Sequence, residues 1–388
     1  MLKTKILTFV KQNKYLLLLF KALRLIQQSS LYKVDGSKKK YPKVIQLPLT
    51  YNCDSKCVMC NIWKMDHSNE ADASEFSTFM QNDLFKEVES VGINGGEVSL
   101  IPNLVDYVEE ILKLPSIKHL NVISNGFRKN VLLDSASEIY KHCQEKGVSF
   151  HIAISLDGVE QVHDDVRGVK NAFTKATSTI DEIIKNQHLY CDSYDIGCTV
   201  ISQNIDYLIQ LDSYAKEKKY NIKYRLGIEN LRIESNKLVE QFSVVFNDER
   251  QAAMEFFHYK YSETKLSDLK VKFKYFSIFY WLKETTPRRL LGCHWKDEGV
   301  TLDSRGELYY CAVKSKSIGS LRAQSGEDIF FKPENITYRS SLVKESCDSC
   351  IHDYHGKPAL KDLIVFFKSL FMDRLAMKLY KLKLGFMK

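Results

Sequence analysis

The chain of 388 residues lacks an uninterrupted apolar run of the roughly 18 residues that a membrane-spanning helix requires. It also lacks the charged start, apolar core and small-residue cleavage site of a secretory signal. The first absence excludes a transmembrane helix. The second, taken with ten cysteines, indicates a reducing compartment in which cysteines bind metal instead of forming disulfides. We therefore expect a cytoplasmic protein.

Acidic residues are scarce at both ends of the chain, although the formal net charge is only +8. Residues 1–40 carry ten lysines or arginines against one aspartate, and residues 358–388 carry seven against two. The ends contribute +9 and +5, which leaves −6 for the residues between them. Both ends also mix basic with large apolar residues. We expect amphipathic segments that pack on the body or on a partner subunit, with peripheral binding to anionic lipid as the alternative.

A three-cysteine motif follows the first short apolar segment. Cys53, Cys57 and Cys60 have the spacing Cys-x3-Cys-x2-Cys. Three thiolates on a 4Fe-4S cube leave one iron without a protein ligand, and such a cluster is reactive. A zinc site closed by His67 is the alternative, because short cysteine spacings also occur in zinc proteins. The motif alone leaves both metals open.

Strand and helix patterns alternate along residues 41–230. Strands are predicted at residues 44–49, 91–94, 119–124, 148–156, 194–201 and 222–226. Helices are predicted between them at residues 75–90, 104–114, 131–146, 173–186 and 206–218. Strands that alternate with helices pair in parallel. We therefore expect an α/β fold, a partial (β/α)6 TIM-like barrel with its reactive groups at the carboxyl ends of the strands.

Three polar motifs follow predicted strands, at the edge where the cysteine motif also lies. They are Gly95-Gly96-Glu97, Ser124-Asn125-Gly126 and Ser155-Leu156-Asp157-Gly158, and Arg167 follows shortly afterwards. Two glycines let a backbone approach a ligand closely, and the adjacent carboxylate can accept a hydrogen bond from an ammonium group. In this order, and together with the cysteine motif, they resemble the radical S-adenosylmethionine (SAM) superfamily.

The resemblance implies a role for each motif. The cysteine motif holds a 4Fe-4S cluster whose free iron binds the amino and carboxylate groups of SAM. The segment with Glu97 holds the amino group, although Val98 stands where the family usually has proline. Arg167 pairs with the SAM carboxylate, a task suited to a guanidinium fork. The SAM-binding residues implied in this way are Gly95, Gly96, Glu97, Asn125, Ser155, Asp157 and Arg167.

Four later cysteines, Cys293, Cys311, Cys347 and Cys350, predict a second metal site. They include a Gly-x4-Cys element that starts at Gly306 and a Cys-x2-Cys pair. This order resembles the twitch domain, the shorter relative of the SPASM extension, which carries one auxiliary 4Fe-4S cluster. The full SPASM pattern has further cysteines, and none follows Cys350 here. Four thiolates fill every iron, so electron transfer is the expected role; a structural zinc site is the alternative.

These patterns divide the chain into five predicted parts. A basic amphipathic segment covers residues 1–40, the radical SAM barrel 41–230 and a helical connection 231–292. The twitch-like or SPASM-like domain covers residues 293–357, and a basic amphipathic helix covers 358–388.

The resemblance also implies a reaction. A reduced cluster, supplied by a flavodoxin- or ferredoxin-type donor, cleaves SAM to a 5′-deoxyadenosyl radical that abstracts hydrogen from substrate. The auxiliary cluster favours oxidation of the substrate radical, whereas epimerisation requires a thiol hydrogen donor. Cys198, in the fifth predicted strand, is the candidate donor if it faces the barrel interior. Arg225, in the sixth, is a candidate base or substrate anchor.

The substrate is predicted from the room available. Many enzymes with this extension modify ribosomally made peptides, often through a separate domain that binds the peptide leader. Only 43 residues precede the first strand, so we expect instead a small polar substrate such as a sugar, a cyclitol or a lipid-linked glycan precursor. A peptide maturase and a tRNA-modifying enzyme are the alternatives. Nucleic acid is not an expected partner, because the basic segments are aliphatic and lack interleaved stacking residues.

Overall fold

The computed structural model describes residues 21–24, 26–27, 40–246, 248–353 and 356–386, with the backbone alone described for 374–386. The chain divides into two compact units. Of the described residues, the larger unit contains those within 40–252 and 295–348, and the smaller contains those within 21–27, 253–294 and 349–386. The predicted N-terminal segment, residues 1–40, lies almost entirely outside the described residues. The predicted region 293–357 contributes residues to both units.

A nine-stranded sheet forms the frame of the larger unit, in the order β6-β5-β4-β3-β2-β1-β7-β8-β9. Strands β1 to β7 pair in parallel with their neighbours, and the last two strands pair antiparallel. The bounds are β1 Val44–Pro48, β2 Ser90–Asn94, β3 His119–Ser124, β4 Ser149–Ser155, β5 Ser193–Val200, β6 Ile222–Leu226, β7 Gly299–Leu302, β8 Glu307–Tyr309 and β9 Gly319–Ser320. The predicted α/β fold with six parallel strands is confirmed. The sequence did not predict β7, which pairs with β1 from across more than half of the chain.

Helices follow most of the parallel strands. Their bounds are α1 Ala73–Met80, α2 Leu104–Ile111, α3 Lys129–Lys146, α4 Gln161–Arg167, α5 Ala172–Lys185, α6 Gln187–Tyr190, α7 Leu208–Glu217, α8 Val239–Phe242, α9 Arg250–Glu263, α10 Leu269–Lys283, α11 Gly326–Phe330, α12 Pro333–Ser346 and α13 Leu360–Phe386. Apart from the start of α9, the helices α9, α10 and α13 belong to the smaller unit.

The predicted helix at residues 75–90 is much shorter in the structure. The Asp72 side chain caps α1 by accepting a hydrogen bond from the Glu75 amide (2.8 Å). After Met80, the Asn82 side chain accepts from the Leu84 amide (3.1 Å), and a separate 3-10 helix, Asp83–Phe85, begins. Asparagine competes with helical hydrogen bonds in this way, so the apolar pattern overestimated the helix.

Alternate side chains of the parallel strands point to opposite faces of the sheet. Phe150 of β4 packs on Tyr140 of α3, with ring centroids 6.4 Å apart, and the Tyr224 hydroxyl of β6 donates to Asp212 of α7 (3.1 Å). These contacts define the helix-facing side. His151, Asp195 and Lys223 alternate with those residues and therefore point to the other face, the interior of the predicted barrel.

This interior face carries a charged cluster. His151 Nε2 lies 3.3 Å from a carboxylate oxygen of Asp195, which also pairs with Lys223. Although burial opposes its charge, His151 and Lys223 lower the pKa of Asp195 to about 2. The interior is therefore a polar cavity wall, unlike the apolar side that faces the helices.

The smaller unit has an aromatic core. Phe366 of α13 packs on Phe273 and Phe276 of α10, with ring centroids 5.0 and 5.3 Å apart. Leu363 and Phe366 are fully buried, whereas Ile364 and Phe371 on the same helix are exposed. Among the described residues, no helix combines the length and apolarity that crossing a bilayer requires.

Candidate active site

The cysteine motif lies in the loop that follows β1, and this loop is held from two sides. On one side, the Gly96 amide donates to the Thr50 carbonyl (2.6 Å) and the Glu97 amide donates to the Asn52 carbonyl (2.8 Å). On the other side, the Lys56 amide donates to the carbonyl of Arg167 (2.9 Å), the last residue of α4. The structure thereby brings together the ends of β1, β2 and α4, as the sequence predicts for parallel strands.

The two glycines after β2 are required by the cysteine loop itself. A Cβ at Gly96 would lie 1.9 Å from the Asn52 carbonyl oxygen, and one at Gly95 would lie 2.4 Å from that of Thr50. Gly95 also has φ +137°, a conformation that side chains disfavour. We expected these glycines to let the backbone come close to a ligand. In the structure they let it come close to the backbone of the cysteine loop.

Glu97 joins β2 to the end of β3. Its carboxylate accepts hydrogen bonds from the Ser99 amide (3.0 Å), the Ser124 hydroxyl (2.6 Å) and the Asn125 amide (2.7 Å). Asn125 in turn donates to Asp54 in the cysteine loop (2.7 Å). Burial raises the pKa of Glu97. The predicted contact between Glu97 and the SAM amino group remains a prediction, because the described bonds of this carboxylate are all to protein groups.

Arg167 connects the cysteine loop to the end of β4. Its Nη2 lies 2.5 Å from a carboxylate oxygen of Asp157, and its Nη1 lies 3.7 Å from Sγ of Cys57. Both charged side chains are buried. Although burial opposes the charge of Arg167, Asp157 and Cys57 raise its pKa, so it stays cationic. A cation held beside one thiol of the motif stabilises that thiol in its ionised form.

Two further buried residues at this edge were missed by the sequence reasoning. His163 of α4 accepts the Asp157 amide at Nδ1 (3.0 Å), and burial lowers its pKa to about 4, so the ring is neutral. Asn204 donates to the carbonyls of Asp157 (2.8 Å) and Thr199 (2.9 Å). Both fix the end of β4 in place. Asn204 is 47 residues from Asp157 in sequence, so no local pattern reveals that contact.

Glu70 was also missed, and it fixes the start of the cysteine loop. Its carboxylate accepts from the Tyr51 amide, the Thr50 hydroxyl (2.8 Å) and the Ser304 hydroxyl (3.0 Å). Nothing in the surrounding polar sequence distinguishes Glu70 from a surface residue.

The donor set of the loop fits an iron-sulfur cluster. Cys57 is buried, and Cys53 and Cys60 are partly exposed. Asp54, the carboxylate within the motif, is bonded to Asn125. Burial raises the pKa of Cys53 and Cys60 to about 12, so a bound cation is needed to keep them as thiolates. Among the described residues, no three His, Cys, Asp or Glu side chains converge on one ion position, and His67 is exposed. A cube binds each thiolate at a different iron, which requires no such convergence.

The structure does not place Cys198 in the barrel interior. Cys198 pairs in register with Tyr224, whose hydroxyl bonds to α7, and its Sγ lies 3.9 Å from the Asn204 amide nitrogen. It therefore faces the helices, and its prediction as an interior hydrogen donor is wrong. Arg225 and Ser155 do point to the interior, where Arg225 Nε donates to Thr199 (3.3 Å).

The four later cysteines are divided between the two units. Cys311 and Cys347 belong to the larger unit, and Cys293 and Cys350 to the smaller. Cys311 follows β8, and its Sγ accepts from the Val313 amide (3.4 Å). In the smaller unit, buried Arg289 donates to the carbonyls of Gly292 and Cys350 (3.1 Å each) and so holds their two segments together. Their role as one ligand set remains a prediction.

Comparisons with known proteins agree with this site. A model of the radical SAM superfamily matches residues 47–215, which include the end of β1, the cysteine motif, β2 to β5 and Arg167. The sporulation killing factor maturation protein SkfB of Bacillus subtilis (strain 168) is 28% identical over 152 residues, 39% of this chain and 35% of that protein. Fe-coproporphyrin III synthase of Methanosarcina barkeri (strain Fusaro / DSM 804) is 31% identical over 150 residues, 36% of this chain and 33% of that protein.

The chain spans about a third of the length of these two curated relatives. A solved structure, native anSMEcpe with bound AdoMet and Cp18Cys peptide, shares the fold with a TM-score of 0.54 and 15% identity, over 87% of this chain and 99% of that chain. Together with the site described above, the match identifies residues 47–215 as a radical SAM domain. Such a domain implies SAM and a 4Fe-4S cluster as cofactors.

Proposed function

We propose that this protein is a radical SAM enzyme that modifies a peptide. The main support for radical SAM chemistry is the cysteine loop, which carries three thiols at the carboxyl edge of the barrel. Asp54, the carboxylate within this loop, is bonded to Asn125 and so does not compete as a ligand. Two comparisons support a peptide substrate: one relative is a maturation protein, and a structure of the same fold holds AdoMet and a peptide. They favour the peptide alternative over the small polar substrate that we expected from the sequence.

Cys53, Cys57 and Cys60 hold the cluster in this proposal. When bound, the reduced cluster supplies one electron to SAM, which breaks a carbon-sulfur bond and yields a radical that removes hydrogen from substrate. The residues of the chain keep this chemistry in one place. Glu97 and Asn125 fix the loop to β2 and β3, and Arg167 holds positive charge beside Cys57.

The end of β4 orients the bound SAM in this proposal. Ser155 points to the interior at the carboxyl edge of the sheet, while Asp157 is held by Arg167 and by the Thr199 amide (2.7 Å). A site fixed by such bonds loses little entropy when it binds its cofactor. Ser155 shares the interior face of the sheet with Arg225, His151 and Asp195.

An auxiliary cluster ligated by Cys293, Cys311, Cys347 and Cys350 is part of the proposal, on the strength of their order and spacing. Such a cluster would supply an acceptor for the electron that the substrate radical loses, together with a proton, on oxidation, and a flavodoxin- or ferredoxin-type protein would reduce the first cluster. Iron analysis of anaerobically reconstituted protein tests it. We expect about eight irons per chain, falling to about four in a Cys311→Ala/Cys347→Ala variant. Four irons in both proteins would leave only the first cluster.

The substrate class is tested by the release of 5′-deoxyadenosine. Reconstituted protein, SAM and dithionite are incubated with a low-mass cell extract, with and without prior digestion of the extract by a broad protease. A peptide substrate increases release, and the digestion abolishes that increase. An increase that resists the protease would indicate a small molecule instead, as the name of the coproporphyrin synthase suggests for that relative. Treatment of the extract with nuclease tests the RNA alternative in the same way.

A further inference from the structure

Arg232 occupies an unusual position beside the cysteine loop. It lies in the 3-10 helix Leu231–Ile233, which follows β6. Its guanidinium carbon is 5.6 Å from the centroid of the Tyr51 ring, two residues before Cys53. Its charge also acts on Cys60, the last cysteine of the motif. Arg232 thus places a positive charge next to the proposed cluster. It comes from the segment after β6, whereas Arg167 comes from the helix that follows β4.

Two of the three guanidinium nitrogens of Arg232 lack hydrogen-bond partners in the described part of the chain, although the side chain also interacts with Tyr51. Its Nε and Nη1 are shielded from solvent and have no hydrogen-bond partner there. No described carboxylate forms an ion pair with it, although the side chain as a whole remains partly exposed. Burying charged nitrogens without hydrogen-bond partners is costly, so proteins rarely keep such a group without a use for it.

The nearest acid cannot supply the missing bonds. Asp303 accepts hydrogen bonds from the hydroxyls of Tyr51 (2.7 Å) and Tyr309 (3.0 Å) at one oxygen. Its other oxygen accepts from the amides of Arg305 and Glu307 (3.0 Å each). Both oxygens of Asp303 are therefore already bonded. Against the effect of burial, Tyr51 and then the negative charge of Asp303 raise the pKa of Arg232.

Arg305 provides a direct contrast on the same tyrosine ring. Its guanidinium carbon lies 4.6 Å from the ring centroid of Tyr51, and its Nη2 donates to the carbonyl of Asp66. Arg305 therefore has a structural role in joining two loops. Arg232 has the same type of ring contact but keeps two nitrogens for another molecule.

Asn61 adds a complementary group. Its Nδ2 donates to the carbonyl of Glu234 (3.1 Å), two residues after Arg232. The other polar atom of the side-chain amide, Oδ1, is a hydrogen-bond acceptor. Oδ1 is buried and has no described partner. Unsatisfied donors on Arg232 and an unsatisfied acceptor on Asn61 match a ligand that carries both a carboxylate and an N–H group.

We propose that Arg232 and Asn61 bind an acidic residue of the peptide substrate, through its carboxylate and a neighbouring amide N–H. The proposal rests on the function proposed above, and it names the class of side chain that the site selects. The carboxylate of SAM is the other source of the same chemistry. Arg167, with Asp157, already provides the predicted site for that carboxylate, so we assign Arg232 to the substrate.

A binding experiment tests this without requiring turnover. Full-length reconstituted protein with SAM is titrated with N-acetylglutamate N-methylamide and with its glutamine counterpart, and ligand-observed NMR gives each Kd. We expect the glutamate compound to bind about tenfold more tightly, the effect of one charge-assisted contact. Arg232→Gln should remove that preference, whereas Arg232→Lys should retain part of it. The matched control, Arg305→Gln, should keep it in full.

The outcomes separate the two sources of carboxylate. Equal affinities of the wild-type protein for the two compounds would overturn the proposal, as would a preference that survives Arg232→Gln. A Kd for SAM that rises about tenfold in Arg232→Gln, with the glutamate preference intact, would assign the guanidinium to SAM instead. Protease-sensitive release of 5′-deoxyadenosine is measured independently, so the peptide function can stand even if this site does not bind an acidic residue.

Discussion

The carboxyl ends of β1 to β4 differ from the segment that follows β6 in how their polar groups are used. At the first four strands, Glu97, Asn125, Asp157 and Arg167 bond to one another or to the cysteine loop. After β6, Arg232 keeps buried nitrogens without partners. The motifs typical of the superfamily thus hold the cysteine loop in a rigid frame. In the site that we propose, the unpartnered nitrogens of Arg232 would bind the substrate.

The largest effect that we expect comes from the frame. Gly96→Ala would place a Cβ 1.9 Å from the Asn52 carbonyl oxygen, a backbone atom that cannot move without displacing the cysteine loop. We expect a loss of more than about 4 kcal/mol in the free energy of unfolding and loss of the cluster absorbance. Urea denaturation and iron analysis measure the two effects.

Gly92→Ala is the matched control for that substitution. A Cβ at Gly92, in β2, meets nothing within 4 Å, and its backbone conformation suits any residue. We expect its stability and iron content to stay close to the wild type. Equal losses in the two variants would show that β2 is sensitive to any added methyl group, and that the contact with the loop is not the cause.

The buried ion pair should give the next largest effect. Arg167→Gln leaves the Asp157 carboxylate buried without its cation, at a cost of about 3 kcal/mol, and should weaken SAM binding. Arg322→Gln removes a pair of similar geometry, to Glu75 at 2.7 and 2.8 Å, in a solvent-exposed place. That control should cost less than about 1 kcal/mol. Similar losses in both variants would argue against the frame that we describe.

The neutral His163 should make the frame sensitive to acid. Burial and Arg167, against the smaller effects of Asp157 and Asp164, lower its pKa from 6.5 to about 4. The unfolded chain therefore binds a proton below pH 6.5 that the folded protein does not, and stability falls as the pH decreases toward 4. His163→Asn, which keeps an acceptor for the Asp157 amide, should remove about 2 kcal/mol of this loss between pH 7 and pH 5.

Thermal unfolding at a series of pH values measures the effect of His163. The control is His119→Asn, at an exposed histidine of β3. If His163→Asn and the wild type show the same decrease in stability below pH 6.5, another group is responsible for the acid sensitivity.

Strand positions were predictable because their signals are local. Alternation of apolar residues located β1 to β6 to within a few residues, and the cysteine spacing needed no tertiary information. Glu70 and Asn204 were missed because their partners come from other strands and loops. The face of Cys198 also depends on strand register, since a shift of one residue turns every side chain to the other face. Strand β7 is short and far from β1 in the chain, so no local pattern predicted their pairing.

The smallest effect that we expect concerns Cys198. Because it faces the helices, Cys198→Ala should cost about 1 kcal/mol from the small cavity and leave the reaction product unchanged. Mass spectrometry of the product formed in deuterated buffer measures the outcome. A deuterium content that changes with the substitution would show that this thiol does reach the substrate radical.

In our proposal the cysteine loop with its three thiols starts radical chemistry, and the release of 5′-deoxyadenosine from SAM tests this. Anaerobically reconstituted wild-type protein and Cys57→Ala are reduced with dithionite in the presence of SAM, and 5′-deoxyadenosine is quantified by liquid chromatography. The account predicts release by the wild type and none above background by the variant. Wild-type protein that contains its iron and yet releases no 5′-deoxyadenosine would contradict it.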